Sequence, residues 1–163
     1  MSYNMQLGAG VVGLMPALTY NWFSDDKDYN LGGQVSGTAW AGNNDGWSPG
    51  NSTKLSAWAQ TGIDDFSLWL RSNYINQASL SGCSAAISGN CQNPNGMGGT
   101  GYIMPGFDPQ NYGGEVATLL IGASYNYKMF SVGVEGGVPY YQNFNGTQNM
   151  NSYTINSGVS FMF

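Results

Sequence analysis

The stretch Ser152-Tyr-Thr-Ile-Asn-Ser-Gly-Val-Ser-Phe-Met-Phe163 alternates with a period of two. Tyr153, Ile155, Val159, Phe161 and Phe163 share one face of an extended strand; Thr154, Asn156, Gly158, Ser160 and Met162 share the other. Apolar groups on one face and small or polar groups on the other suit a strand between lipid and a polar interior. Ends of soluble chains usually fray into water, so an aromatic strand without a polar tail favours a membrane setting. The expected fold is all-β: a transmembrane, antiparallel, up-and-down β-barrel of about eight strands.

Working upstream, the same alternation divides the chain into further strand-like runs at Tyr3 to Ala9, Leu14 to Phe23, Tyr29 to Ala41, Thr53 to Ile63, Phe66 to Ile75, Glu115 to Tyr127 and Phe130 to Tyr140. The connections alternate too. Asn143 to Asn151, Ser81 to Gly114 and Asn43 to Asn51 read as long outer loops; Tyr127-Lys128-Met129, Gly62 to Asp65 and Ser24 to Asp28 read as short periplasmic turns. Only the connection near Gly10 to Gly13 is too short for its place. Aromatics flank the short turns (Trp22, Phe23, Tyr29, Phe66, Tyr125, Tyr127, Phe130), and Tyr3, Trp40, Trp47, Tyr74 and Tyr140 lie toward the opposite ends. Two such belts match the preference of amphipathic rings for membrane–water interfaces.

Composition points the same way. The 163 residues suffice for one domain, spanning 1–163. Only 8% are charged, against about 25% in ordinary soluble domains. Mean hydropathy is nevertheless -0.23, because neutral polar residues and 25 glycines replace the missing charges. An aromatic content of 14% argues against disorder. A soluble sandwich or lipocalin-like barrel is the rival, but its outer face would need charges that this chain barely supplies. No run of 18 apolar residues exists to form a transmembrane helix. No basic segment followed by an apolar one occurs at Met1, so a secretory signal is expected to have been removed or never present.

Several chemistries drop out. There is no histidine, which removes the usual hydrolase triads and the commonest metal ligand. Neither an enzyme, a metal site nor a cofactor is expected. The net charge of -5, with only Lys27, Lys54, Arg71 and Lys128 as cations, leaves no basic patch for nucleic acid. Asp25, Asp26 and Asp28 read as a solvated turn, since the ligand spacing of a calcium loop is absent. Gly96 to Gly101 matches a nucleotide-loop pattern in letters only, with no strand-to-helix context. Cys83 and Cys91, in a Gly/Asn/Ser-rich segment, predict a small loop disulfide in an oxidising compartment; the alternative is a pair of free thiols.

Met5-Gln-Leu-Gly-Ala-Gly10, Leu14-Met-Pro-Ala-Leu-Thr-Tyr20, Gly33-Gln-Val-Ser-Gly37, Leu55-Ser-Ala-Trp58 and Val134-Glu-Gly-Gly-Val-Pro-Tyr-Tyr-Gln142 resemble a bacterial outer-membrane family of transporter-type barrels. That family includes the meta-pathway phenol-degradation proteins. The resemblance implies passive passage of small hydrophobic or polar solutes, a lipid bilayer and the barrel-assembly machinery as partners, and an outer-membrane location. The Tyr153, Phe161 and Phe163 pattern would then serve as the membrane-insertion signal. Family members are usually longer, so the chain is expected to be either a self-contained eight-stranded barrel or the C-terminal part of a larger one, and an oligomer is open. Lys54, Arg71, Glu115 and Glu135 are expected to point inward. In a closed eight-stranded barrel Arg71 and Glu135 would form a structural plug; in a wider one the same groups would line an aqueous path. The rival function is a closed structural barrel that presents its outer loops for adhesion or complex assembly.

Overall fold

The computed structural model describes residues 10–43, 45–84 and 108–161. They are built from β1 (Val12–Leu14), β2 (Ala17–Phe23), β3 (Tyr29–Ala41), β4 (Trp47–Ser48), β5 (Ser52–Ile63), β6 (Phe66–Gln77), β7 (Ser81–Gly82), a 3-10 turn (Pro109–Asn111), β8 (Gly114–Tyr127), β9 (Phe130–Phe144) and β10 (Thr154–Phe161). Eight segments form one antiparallel sheet in the order β1-β3-β5-β6-β8-β9-β10, with β2 also on β3. β1 and β2 occupy a single row, because Val12 faces Ala41 and Ala17 faces Ser36 in one unbroken register. Met15-Pro16 interrupts that row, and the Pro16 carbonyl still accepts from the Gly37 amide at 3.0 Å. Proline lacks the N–H a ladder needs, which confines it to edges and breaks.

The sheet is open, and this corrects the expectation of a closed barrel. Six successive antiparallel ladders link the β1/β2 row to β10. Six reversals leave the two edge strands running the same way, so no antiparallel ladder can join them directly. The expected strand Tyr3 to Ala9 lies outside the described residues. The connection expected at Gly10 to Gly13 is absent as such: Gly13 belongs to β1 and pairs with Trp40.

Long strands and short reversals explain the sheet's shape. β3, β5, β6, β8 and β9 run 12 to 15 residues, more than the 9–11 or so that cross a bilayer. Asp64 and Lys128 begin two-residue turns with φ of 52° each, which closes the hairpins tightly. At the opposite end the connections are long and tied together. β4 pairs with β7, Asn145 Nδ2 donates to Ser79 Oγ and to the Tyr112 carbonyl, and Gln148 Nε2 donates to the Gly113 carbonyl at 2.6 Å. β9 carries a register shift where Ala117 faces Tyr141 and Thr118 faces Pro139. The extra residue, Tyr140, faces no β8 residue, so the ladder is interrupted beside Pro139, which has no N–H to give it.

Exposure is inverted relative to a water-soluble domain. Among the described residues thirty large apolar side chains are exposed, whereas only Trp47, Leu80, Ala117 and Leu120 are buried apolar ones. Trp47, expected in an aromatic belt, is instead buried with Leu80 beneath the long connections, against Tyr112. A ring between two loops has more apolar contact available there than at the sheet margin.

Candidate functional site

The register sorts every strand into two faces. Leu18, Tyr20 and Trp22 of β2, Leu31 and Val35 of β3, Leu68 and Leu70 of β6, Ile121 of β8, Val134 of β9 and Ile155 of β10 share the apolar face. All are exposed. The other face carries Gln34, Ser56, Trp58, Gln60, Trp69, Arg71, Asn73, Glu135 and Asn156. A groove of about 440 Å³ opens on this polar face, lined by Gln34, Lys54, Ser56, Trp58, Gln60, Trp69 and Arg71.

Glycines shape this face. Gly13 stands directly across from Trp40, Gly32 from Trp58, Gly122 from Trp69 and Gly137 from Leu120. At each of them an added Cβ would collide with the partner side chain. Each large group therefore lies flat over a neighbouring strand's backbone, which only a residue without Cβ allows. These four glycines thus serve packing inside strands. Trp40 is accordingly on the polar face over Gly13, and not in the aromatic belt expected of it.

Hydrogen bonds hold the two groove tryptophans. Trp58 Nε1 donates to Asn30 Oδ1 at 2.9 Å, and Trp69 Nε1 donates to Glu135 Oε2 at 2.7 Å. Arg71 Nη2 lies 2.8 Å from the same Glu135 oxygen, whose side chain is 12% exposed against 41% for Arg71. Gly122 makes this possible, since β8 lies between β6 and β9 and the contact must pass over it. An ionised acceptor shared by two donors makes a strong, fixed node. Lys54, two strand positions from Ser56, has no ion-pair partner among the described residues.

Glu115 does not join this set. It sits on β8 at the same parity as Ala117 and Leu119, on the apolar face. There Asn76 Nδ2 and the Tyr141 hydroxyl donate to its carboxylate at 3.0 Å each. The inward expectation fails because it ignored that parity: Leu119 and Ile121 point outward, so an odd-numbered neighbour must as well. Its place at the strand end, beside the long connections, lets a carboxylate sit among polar partners.

The short-turn end carries the aromatics expected of it. Phe66 and Tyr125 rings lie 4.8 Å apart, Phe130 and Phe161 5.3 Å, and Lys128 Nζ sits 5.2 Å from the Tyr127 ring centre. In the turn of Ser24 to Asp28, the Ser24 hydroxyl donates to Asp26 and, with backbone amides, holds its carboxyl below the usual value. These acidic side chains are organised by their own turn, and among the described residues no cluster with metal-ligating composition occurs. Tyr153 and Phe161 lie exposed at and within β10; Phe163 is outside the described residues. Cys83 is not a free thiol, while Cys91, its expected partner, is likewise outside them. No family model matches the chain, and no curated protein or solved structure does either.

Proposed function

We propose that this chain is an outer-membrane β-barrel protein, or a portion of one, that lets small solutes pass passively along its polar face. The observation that carries the reading is the inverted sheet: among the described residues thirty large apolar side chains are exposed, most of them on one face, backed by a polar face with a groove. An apolar area of that extent does not persist in water on a monomeric protein, but lipid accommodates it. Strand lengths, the ring of aromatics at the short turns, and long connections gathered at the other end support the same orientation. Closing such a sheet with antiparallel ladders alone needs an odd number of further strands. Insertion by the barrel-assembly machinery through the Tyr153–Phe161–Phe163 pattern, and a Cys83–Cys91 link, belong to the same proposal.

A second reading is a closed structural barrel that presents its long connections as a contact platform. It is favoured by the hydrogen bonds that join the connections around Trp47, Gly82, Tyr112 and Asn145 into one unit. It is also favoured by the Trp69–Glu135–Arg71 node, which fills part of the polar face. Planar-bilayer recording of the purified, refolded chain separates the two. Reproducible conductance steps support passage; a folded, heat-resistant protein without steps supports the platform. Stable solubility of the folded chain without detergent overturns both.

A further inference from the structure

We propose that the groove between Trp58 and Trp69 is a binding site for a small planar organic acid, with the acid's ring on an indole and its carboxylate toward Lys54 and Arg71. The inference rests on the reading of the polar face as the solute-contacting one, and adds the class of solute.

Charge is the first argument. The chain is net -5, yet its charges are segregated. Two cations, Lys27 and Lys128, lie in the short turns; the other two, Lys54 and Arg71, both line this groove. Glu135 is the only acid on a polar-face strand position among the described residues, since Asp25, Asp26, Asp28, Asp64 and Asp65 lie in turns, Asp45 and Asp108 in long connections, and Glu115 on the other face; Asp28 and Lys27 both border the neighbouring pocket over Trp58 and Gln60 and offset one another there. The groove therefore carries a net positive charge inside an acidic protein. Arg71 meets Glu135 through one nitrogen, and a guanidinium has further N–H donors on its remaining nitrogens. Lys54 has no ion-pair partner among the described residues. An anion entering here meets attraction, and a cation meets repulsion.

Shape is the second argument. Trp58 rests one face on Gly32 and Trp69 rests one face on Gly122. Their N–H groups are already engaged by Asn30 and Glu135. What each ring still offers the groove is a π face, held in place before any ligand arrives. Such faces favour stacking with another flat ring, and a pre-positioned surface lowers the ordering cost of binding. A volume of about 440 Å³ lies within the usual range for small-molecule sites.

The test uses the full chain folded in zwitterionic detergent, titrated by calorimetry with benzoate, cyclohexanecarboxylate and benzylamine. Benzoate is expected to bind saturably. Cyclohexanecarboxylate, equal in charge but not flat, is expected to bind several-fold more weakly, and benzylamine not at all. Lys54→Gln weakens benzoate about tenfold, the scale of one charge-assisted contact, and Lys128→Gln leaves it unchanged. Trp58→Leu removes the preference for benzoate over the cyclohexane acid; if it fails to fold, Lys54→Gln with the three ligands still decides. No saturable benzoate binding, equal binding of the two acids, or insensitivity to Lys54→Gln overturns the site. Saturable binding without conductance steps keeps the site and overturns passage; steps without binding do the reverse.

Discussion

Ile121→Lys is the perturbation that separates lipid from water at the apolar face. Ile121 is 69% exposed and lies six residues before Tyr127, at the short-turn end of β8. Six residues at about 3.3 Å each span roughly 20 Å along the strand. A strand tilted about 40° converts that to about 15 Å of height above the aromatic ring. The hydrocarbon core is about 30 Å thick, so Ile121 falls near its middle. A lysine there is expected to cost about 2–4 kcal/mol of folding free energy. In water the same exchange at an exposed site would stay within about 0.5 kcal/mol. Met129→Lys, in the turn at the interface, is the matched control and should cost about 0–1 kcal/mol. Urea titration of folding into phospholipid vesicles, followed by tryptophan emission, gives both values. Val134→Arg on β9 should behave as Ile121→Lys does. Equal, small losses for Ile121→Lys and Met129→Lys would refute the lipid-facing assignment.

Arg71→Ala leaves Glu135 with only the Trp69 N–H and should destabilise the fold by about 1–2 kcal/mol, less than a fully buried pair because Arg71 is partly exposed. Adding Glu135→Gln should recover part of this, and an unrecovered double variant in thermal melts would show that the pair is not the cause. Gly122→Ala forces Trp69 off the β8 backbone and should cost about 1–3 kcal/mol, whereas Gly158→Ala, with open space around its Cβ, should stay within about 0.5 kcal/mol; equal melting temperatures for the two would count against the ring-over-glycine packing. Asp26 is held ionised by Ser24 and nearby amides, so its contribution is present above its unfolded pKa and fades as pH falls through its lower folded one. Ser24→Ala should raise the Asp26 titration midpoint measured by NMR, and an unmoved midpoint would remove Ser24 as the cause.

The strands were legible because the period of two is written into each one. The expected bounds Tyr29 to Ala41 are those of β3, and the tight turn expected at Gly62 to Asp65 narrows to Asp64-Asp65, because Gly62 and Ile63 still pair with Ser67 and Phe66. Arg71 and Glu135 could be set on one face by parity alone. What parity could not supply was long range. Nothing local in Gly122 says that Trp69 of another strand will lie on it, and nothing in Trp47 says that it packs with Leu80 rather than at an interface. Glu115 was misplaced even though its own strand carried the signal, because charge was allowed to outweigh parity. The groove likewise emerges only when β3, β5 and β6 are brought side by side.

The edges of the sheet carry the last constraint. Neither the β1/β2 row nor β10 holds a single charged side chain, and Pro16 falls only at the break between β1 and β2. Soluble sheets blunt such edges with lysines, prolines or bulges, since unpaired N–H and C=O groups recruit other strands. In hydrocarbon the requirement is harsher, because each unpaired backbone group there costs several kcal/mol and only closed sheets cross. Unprotected edges are therefore the mark of strands that are themselves meant to be paired. The edges run in the same direction, so their partners must enter as an odd number of strands if every ladder is antiparallel. A two-fold assembly that pairs like edges would satisfy the ladders but would send the long connections to both ends. The aromatic belt at the short turns would then appear on both sides of the membrane, and the asymmetry that organises this chain would be lost. On the proposed outer-membrane reading, closure by an odd number of further strands would keep that asymmetry and would turn the positive groove inward.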